Sequence, residues 1–515
     1  MKKLLVLITF FFLLIGCNSD SIDVVVDNDS TSTDTTGDDN TSGDNDDSSS
    51  TENIFIYDLL LTTQQEVDEF GAERYTRVDG NVTITDSEFT NIQNLDQLSS
   101  LTSIGGDFSI GGLHDVTHLN GLRNLERVEG YLSIGGNWRL AQLNGLNALT
   151  FVGGSFYLGG NGDMTQIDGL SNLTTIEGDE IDISYNYLIT SIQGLSNLTS
   201  FNGDITISGN DLLINLEGLS RITNAQALWI NNNDSLTNLE GLNGLTSVLY
   251  LSINNNEQLL NINGLNNLTE INEHIVIYYN PLLRHLDGLS SLESVTSLII
   301  YNCPSLNSIS GLSSLTSVES ITIKDTKIIN LDALNNISTN ILRLNLRSNH
   351  NLTNINGISN LGSSPELFEI IIQGNDVLTN IDGLINFTST EEFIYIKDNP
   401  SLENIDGLIN ITSCGKMYLF NNISLTSIEG LSNLTTVEGV NGYLIISNND
   451  LLPSLDGLSN LRFVQYRLDI TYNNSLIDFC ALQVPFSEGE FDTIFIENNG
   501  FNPNPSDIIS GDCSL

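Results

Sequence analysis

The hexapeptide Gly-Leu-Ser-Asn-Leu-Thr occurs at residues 169–174, 194–199 and 430–435, and looser copies fill the chain between residues 95 and 482. Its glycine returns at positions 121, 145, 169, 194, 218, 241, 264, 288, 311, 357, 383, 407, 430 and 457, while Gln97, Ala333 and Ala481 take the same slot. These 17 units span 384 residues at a mean period of 24. Self-similarity at a fixed period of this size specifies a solenoid.

One unit shows how a turn is built. Around Gly218, Ile205 and Ile207 alternate with polar residues, the spacing of a strand with one buried face. Leu213, Leu216, Leu219, Ile222 and Ala225 then recur every third residue. On an α-helix each step would turn ~300°, so five such residues drift around the axis and no single face buries them. A central glycine weakens a helix further. Each turn is therefore expected to be short strands and tight corners with little helix. Eight residues before the glycine stands an asparagine, from Asn137, Asn161 and Asn186 through to Asn473. A buried asparagine at a corner can bond its own turn and its neighbours' amides. The glycine is expected at a second corner, one that needs positive φ or leaves no room for Cβ.

The strand, the asparagine and the following Leu-x-x-Leu-x-Gly-Leu-x-x-Leu-x-x-Ile resemble the leucine-rich repeats of the receptor L domain. That family includes ligand-binding lobes of insulin-type receptors, fungal cell-wall proteins and bacterial surface lipoproteins. The likeness covers about residues 54–515. It implies a mainly β, right-handed β-solenoid and no common ligand, since fold does not fix function.

The chain opens Met1-Lys2-Lys3, followed by an apolar run from Leu4 to Ile15 and then Gly16-Cys17. A cationic head and a short apolar stretch make a signal peptide, too short for a membrane span. Leu14-Ile15-Gly16-Cys17 resembles the bacterial lipobox, which implies acylation of Cys17 and anchoring of the chain to a membrane. Asn18, rather than Asp, follows the cysteine, and the resemblance then favours the outer membrane. Residues 18–52 hold ten Asp, one Glu, many Ser and Thr, and no Lys or Arg. Such a segment cannot bury a core and reads as an extended linker. It also resembles the surface-export signals of some lipoproteins. Asp44-Asn45-Asp46-Asp47 lacks the Gly and Glu of a calcium loop. The expected organisation is a signal peptide at 1–16, a lipidated linker at 17–52, an N-terminal cap at 53–80, the solenoid at 81–482 and a C-terminal cap at 483–515.

A formal net charge of −47 excludes nucleic acid as a partner. Acids recur immediately before the marker glycine, among them Asp168, Glu217, Asp287, Asp382 and Asp406. Stacked ~4.8 Å apart, they are expected to be solvated or to cap amides, with a calcium-binding row as the alternative. Of the five cysteines, Cys303 falls in the asparagine column and Cys414 in a core slot about five turns away. Both are expected as buried thiols, too far apart to bond. Cys480 and Cys513 flank the last turn and the tail, where an extracytoplasmic setting permits a disulfide. At the front, Thr63-Gln64-Gln65-Glu66 forms a capping box that opens a short helix. At the back, Pro485, Pro503 and Pro505 are expected to end the ladder.

Catalytic chemistry finds no constellation. His114 and His118 are four apart in a corner region, without HExxH, and read as surface histidines rather than metal ligands. No catalytic residue, metal ligand or cofactor is assigned. The outward strand position, twelve before the glycine, is polar at Ser133, Thr206 and Ser252 but carries Tyr157, Trp229, Val276, Ile299, Ile371, Tyr395, Tyr418 and Ile445 elsewhere. Two residues on, the next outward position gives Tyr278, Tyr301, Arg347, Lys397 and Phe420. Apolar-aromatic patches of this kind mark binding surfaces, though such residues also suit any sheet. Candidate ligand-binding residues are Trp229, Val276, Tyr278, Ile299, Tyr301, Ile371, Tyr395, Tyr418 and Phe420. The expected protein is a monomeric, lipid-anchored surface module that binds extracellular protein or glycan. A passive envelope spacer and, more remotely, a glycan-acting enzyme are the alternatives.

Overall fold

A computed structural model of the chain describes residues 52–86, 91–199, 201–363 and 367–515. The signal segment, Cys17 and the linker as far as Thr51 lie outside the described residues.

The 24-residue period becomes one turn of a β-solenoid. About twenty strands form a parallel sheet, each in register with its counterpart one turn away. The ladder is open at both ends: Leu59–Leu61 pairs only with Val82–Thr85, and Glu490–Glu497 only with Phe463–Thr471. In the first turns a second ladder of two-residue strands runs from Ile54–Phe55 to Thr175–Ile176. From Asn224–Asn231 onward most turns join the two into one longer strand, as in Ser294–Cys303.

The third-residue spacing is resolved by 3-10 geometry. Among the described residues, sixteen three-residue 3-10 helices stack along the far side, such as Glu217–Leu219 and Asp287–Leu289. Ile205, Ile207, Leu213, Leu216, Leu219, Ile222 and Ala225 are all buried, none more than 5 % exposed. Each such Leu or Ile contributes roughly 1.5–3 kcal/mol on burial. The marker glycine is required by close approach. A Cβ at Gly288 would run into the carbonyl of Ile262 in the preceding turn, and Gly218 meets Ile192 likewise. Among the marker glycines only Gly241, whose turn lacks the 3-10 helix, has a positive φ, 109°.

Positive φ instead gathers at a corner one residue before the asparagine column. Gly112, Gly136, Tyr185, Asn232, Tyr279, Ser348 and Tyr472 stand there with φ between 52° and 69°. Asparagine and glycine accept this conformation at little cost, whereas Tyr and Ser are held there by the surrounding turns. The asparagines beside them are fully buried. Asn210 donates from Nδ2 to the Ile183 carbonyl at 2.8 Å, and its backbone N–H donates to Oδ1 of Asn233 at 3.1 Å. Repeated turn by turn, these bonds satisfy the polar groups that the bend would strand in the core.

Both ends differ from the expected boundaries. The parallel ladders already begin at Ile54 and Leu59, so the segment 53–80 is the first turn of the solenoid with a helix inserted. That helix, α1 (Gln64–Ala72), starts at the Thr63–Glu66 capping box. At the other end Pro485 does not stop the sheet, whereas Pro503 and Pro505 follow its last strand. Pro485 lies inside helix α2 (Gln483–Glu488), and Glu490–Glu497 then adds a further strand in register. The asparagine column continues through Asn499 to Asn502. Helix α3 (Pro505–Ser510) follows, and Cys513 is bonded to Cys480 with Cα atoms 4.9 Å apart. Cys303 and Cys414 are buried free thiols. No helix among the described residues is long and apolar enough to cross a membrane.

Candidate functional site

Strand alternation sends every second residue of the long ladder outward, and parallel register then aligns those residues into columns. Val276 lies opposite Ile299 and Tyr278 opposite Tyr301, with Trp229 one strand further out across Ser252. The Tyr278 and Tyr301 rings stack with centroids 4.9 Å apart and planes 18° from parallel. Lys324 Nζ caps the stack 4.4 Å from the Tyr301 centroid. Further along, Ile371, Tyr395, Tyr418 and Ile445 share a column, and Phe420 lies beside Lys397, whose Nζ sits 5.1 Å from its ring centroid.

Of the nine candidate residues, eight are half-buried on this face. Ile371 is the exception. It is only 2 % exposed, walled in by its register partners Asn345 and Tyr395, so it forms the floor of the face rather than a contact point.

A third outward column, fourteen residues before the marker glycine, was missed by the sequence reading. It holds Tyr250, His274, Arg343, Phe393, Lys416 and Tyr443. Tyr250 bridges Trp229 and His274, with centroids 6.0 and 6.1 Å away. Arg347, Gln373, Phe393, Tyr395, Lys416 and Tyr418 surround a depression of about 330 Å³. Burial, then the neighbouring Tyr443 and Tyr395, push the Tyr418 phenol above its ordinary value. Asn345 Oδ1 and Arg347 Nε are buried beside this depression without a hydrogen-bond partner among the described residues. Such orphaned atoms cost roughly 1–3 kcal/mol each.

The other candidate features separate from this face. The acidic row lies on the exposed starts of the 3-10 helices. Its carboxylates do not cap the amides; the residue two before does, as when Asn380 Oδ1 accepts from the Asp382 N–H at 3.3 Å. Burial and the adjacent Asp406 raise the Asp382 carboxyl above its ordinary value. His114 and His118 face different carboxylates, Asp86 at 3.2 Å and Asp96 at 3.9 Å. Among the described residues no group of three or more His, Cys, Asp or Glu is placed to hold a metal. A larger recess, about 670 Å³, opens at the 3-10 corner between Asn307 and Ala333. There the turn from Thr326 to Ala333 is one residue shorter than the usual asparagine-to-glycine spacing.

No family model matches the chain, and no curated protein does. Among solved structures, a plant peptide hormone receptor in complex with RGF2 is 15 % identical, with 87 % of this chain and 92 % of that one covered at a TM-score of 0.34. A leucine-rich-repeat protein of Leptospira interrogans is 14 % identical over 76 % of this chain and 88 % of its own, at 0.28. The mouse RP105/MD-1 complex gives 15 %, 85 %, 73 % and 0.25 respectively. At these scores the likenesses stand as observations, and the β-solenoid fold rests on the strand register and the buried asparagine column.

Proposed function

We propose that the chain is a non-catalytic recognition solenoid, lipid-anchored through Cys17 at the bacterial outer membrane and displayed at the cell surface. It binds an extracellular protein or glycan on the outward face of its long sheet. One observation carries this reading: adjacent turns align aromatic rings and cations there, from Trp229 to Phe420, where a purely structural repeat would tolerate small polar residues such as Ser133 and Thr206. Aromatic residues and arginine are the usual anchors of binding interfaces. A glycan and protein array probed with the full chain tests the reading. Saturable capture of one ligand class supports it, and a blank array points to a spacer. The anchor is tested separately, since Cys17→Ser is expected to move the protein out of the membrane fraction and remove lipid label; unchanged partitioning removes the lipoprotein assignment.

A further inference from the structure

Four cations on the outward face sit beside carboxylates: Lys324 by Asp325 at 3.8 Å, Arg343 by Glu369 at 2.7 Å, Lys397 by Asp398 at 3.6 Å and Arg467 by Asp469 at 2.6 Å. Arg347 and Lys416 do not; among the described residues neither has an ion-pair partner. Arg221, Arg284 and Lys327 likewise lack an ion-pair partner among the described residues; Arg347 and Lys416 are set apart by lining one depression together with aromatic rings.

Their placement limits what could neutralise them. Register puts Arg347 three strands away from Phe420, and Lys416 four residues before Phe420 on that strand. The two positions are thus offset by roughly 14 Å across the sheet and roughly 13 Å along it. An elongated ligand that carries more than one negative group matches two cations set on positions this far apart. Between the cations lie the rings of Phe393, Tyr395 and Tyr418, with Ile371 buried as the register partner of Tyr395.

Main-chain recognition is closed off here. The strands Arg343–Arg347, Glu369–Gln373, Ser389–Lys397 and Ser413–Phe420 are paired on both sides, so no peptide can add to them as a strand. The open floor also offers no deep socket for the single apolar anchor typical of a protein partner.

We infer that this depression binds an acidic polysaccharide, a chain of sugar rings bearing carboxylates, with the carboxylates at Arg347 and Lys416 and ring faces against Phe393, Tyr395 and Tyr418. The inference rests on the outward sheet being the recognition surface. The two ends of the depression read charge spacing and the rings between them read the sugar.

The test titrates the full chain with polygalacturonate, hyaluronate, methyl-esterified polygalacturonate and poly-glutamate. At least one carboxylate polysaccharide should bind saturably, and for polygalacturonate the ester should bind about tenfold more weakly. Poly-glutamate should bind no better than the ester. Arg347→Gln and Lys416→Gln should each weaken polysaccharide binding about tenfold with an unchanged melting transition. Equal binding of acid and ester, preference for poly-glutamate, no binding of either polysaccharide, or undiminished binding by both variants overturns the inference. Tyr395→Ser separates the two levels. If a neutral ligand binds and is lost in Tyr395→Ser, the face stands and the anionic ligand falls. If Tyr395→Ser alters binding of no captured ligand, both fall.

Discussion

The side-chain amide of Asn399 donates to Oδ1 of Asn422, 3.2 Å away in the next turn, while its own Oδ1 accepts from the Asn375 backbone N–H at 3.1 Å. A third bond runs from Asn399 Nδ2 to the Ile372 carbonyl at 3.0 Å. Asn399→Ala would orphan the Asn375 amide and the Ile372 carbonyl in a buried site. The expected cost is about 1–3 kcal/mol, concentrated in the flanking turns because a solenoid couples only neighbours. Hydrogen exchange should show faster opening in residues 370–425 and little change near residue 110.

The same column contains a native weak point. Cys303 stands where asparagine would, and its thiol reaches the Ile277 carbonyl only at 4.0 Å. Cys303→Asn should restore the strong donor and raise stability by about 1 kcal/mol. A lowered melting temperature would mean that the corner at Cys303 and Thr326 has repacked around the smaller group.

How far the sequence disclosed this molecule depends on which forces each residue answers to. Asn137 to Asn473 and the every-third leucines were legible because burial in a repeating core imposes one residue type on one slot. Ile371 was misread because burial on an open sheet depends on the neighbouring strands, here Asn345 and Tyr395, which the pattern of a single turn does not contain. The left-handed corner went unnoticed because Gly112, Tyr185, Asn232 and Ser348 share a backbone conformation and no side-chain property. Phe393 and Lys416 lie in a third outward column, readable only once the long strands are known to extend that far. Pro485 misled because α2 accommodates it before the last strand begins.

Asp182 provides a pH test. Burial, partly offset by the hydrogen bond from Ser184, pushes its carboxyl above the ordinary range. A raised folded value means the contribution to stability is full below the unfolded pKa of about 4 and lost as pH rises through the folded value. Asp182→Asn keeps an acceptor for Ser184 and removes the buried charge. It should stabilise the protein at pH 7, with the gain fading as pH falls below the unfolded pKa of about 4. A gain independent of pH would assign the effect to packing.

The bond between Cys480 and Cys513 closes a loop whose ends are 33 residues apart in sequence, holding α2, the last strand and α3 over the end of the core. Cys513→Ala should destabilise that end by about 3–4 kcal/mol in the chain-entropy model and expose the free edge of Glu490–Glu497 to protease. Peptide mapping of unreduced protein should find these two cysteines linked. Cys303 and Cys414, whose thiols burial pushes up to about 11 and about 12, should stay unalkylated at pH 8 until the chain unfolds.

The central claim is that the outward sheet recognises and the inward columns only hold the fold. The direct measurement is the triple substitution of Tyr395, Tyr418 and Phe420 to serine in the full chain, followed by thermal melting and by titration with whichever ligand the array captures. Side chains half-buried on an open face should cost roughly 1 kcal/mol or less each in folding, whereas aromatic anchors contribute about 2 kcal/mol or more each to binding. A melting transition shifted by only a few degrees together with at least a hundredfold loss of affinity is the predicted result. Undiminished affinity in a protein that still melts normally would contradict it.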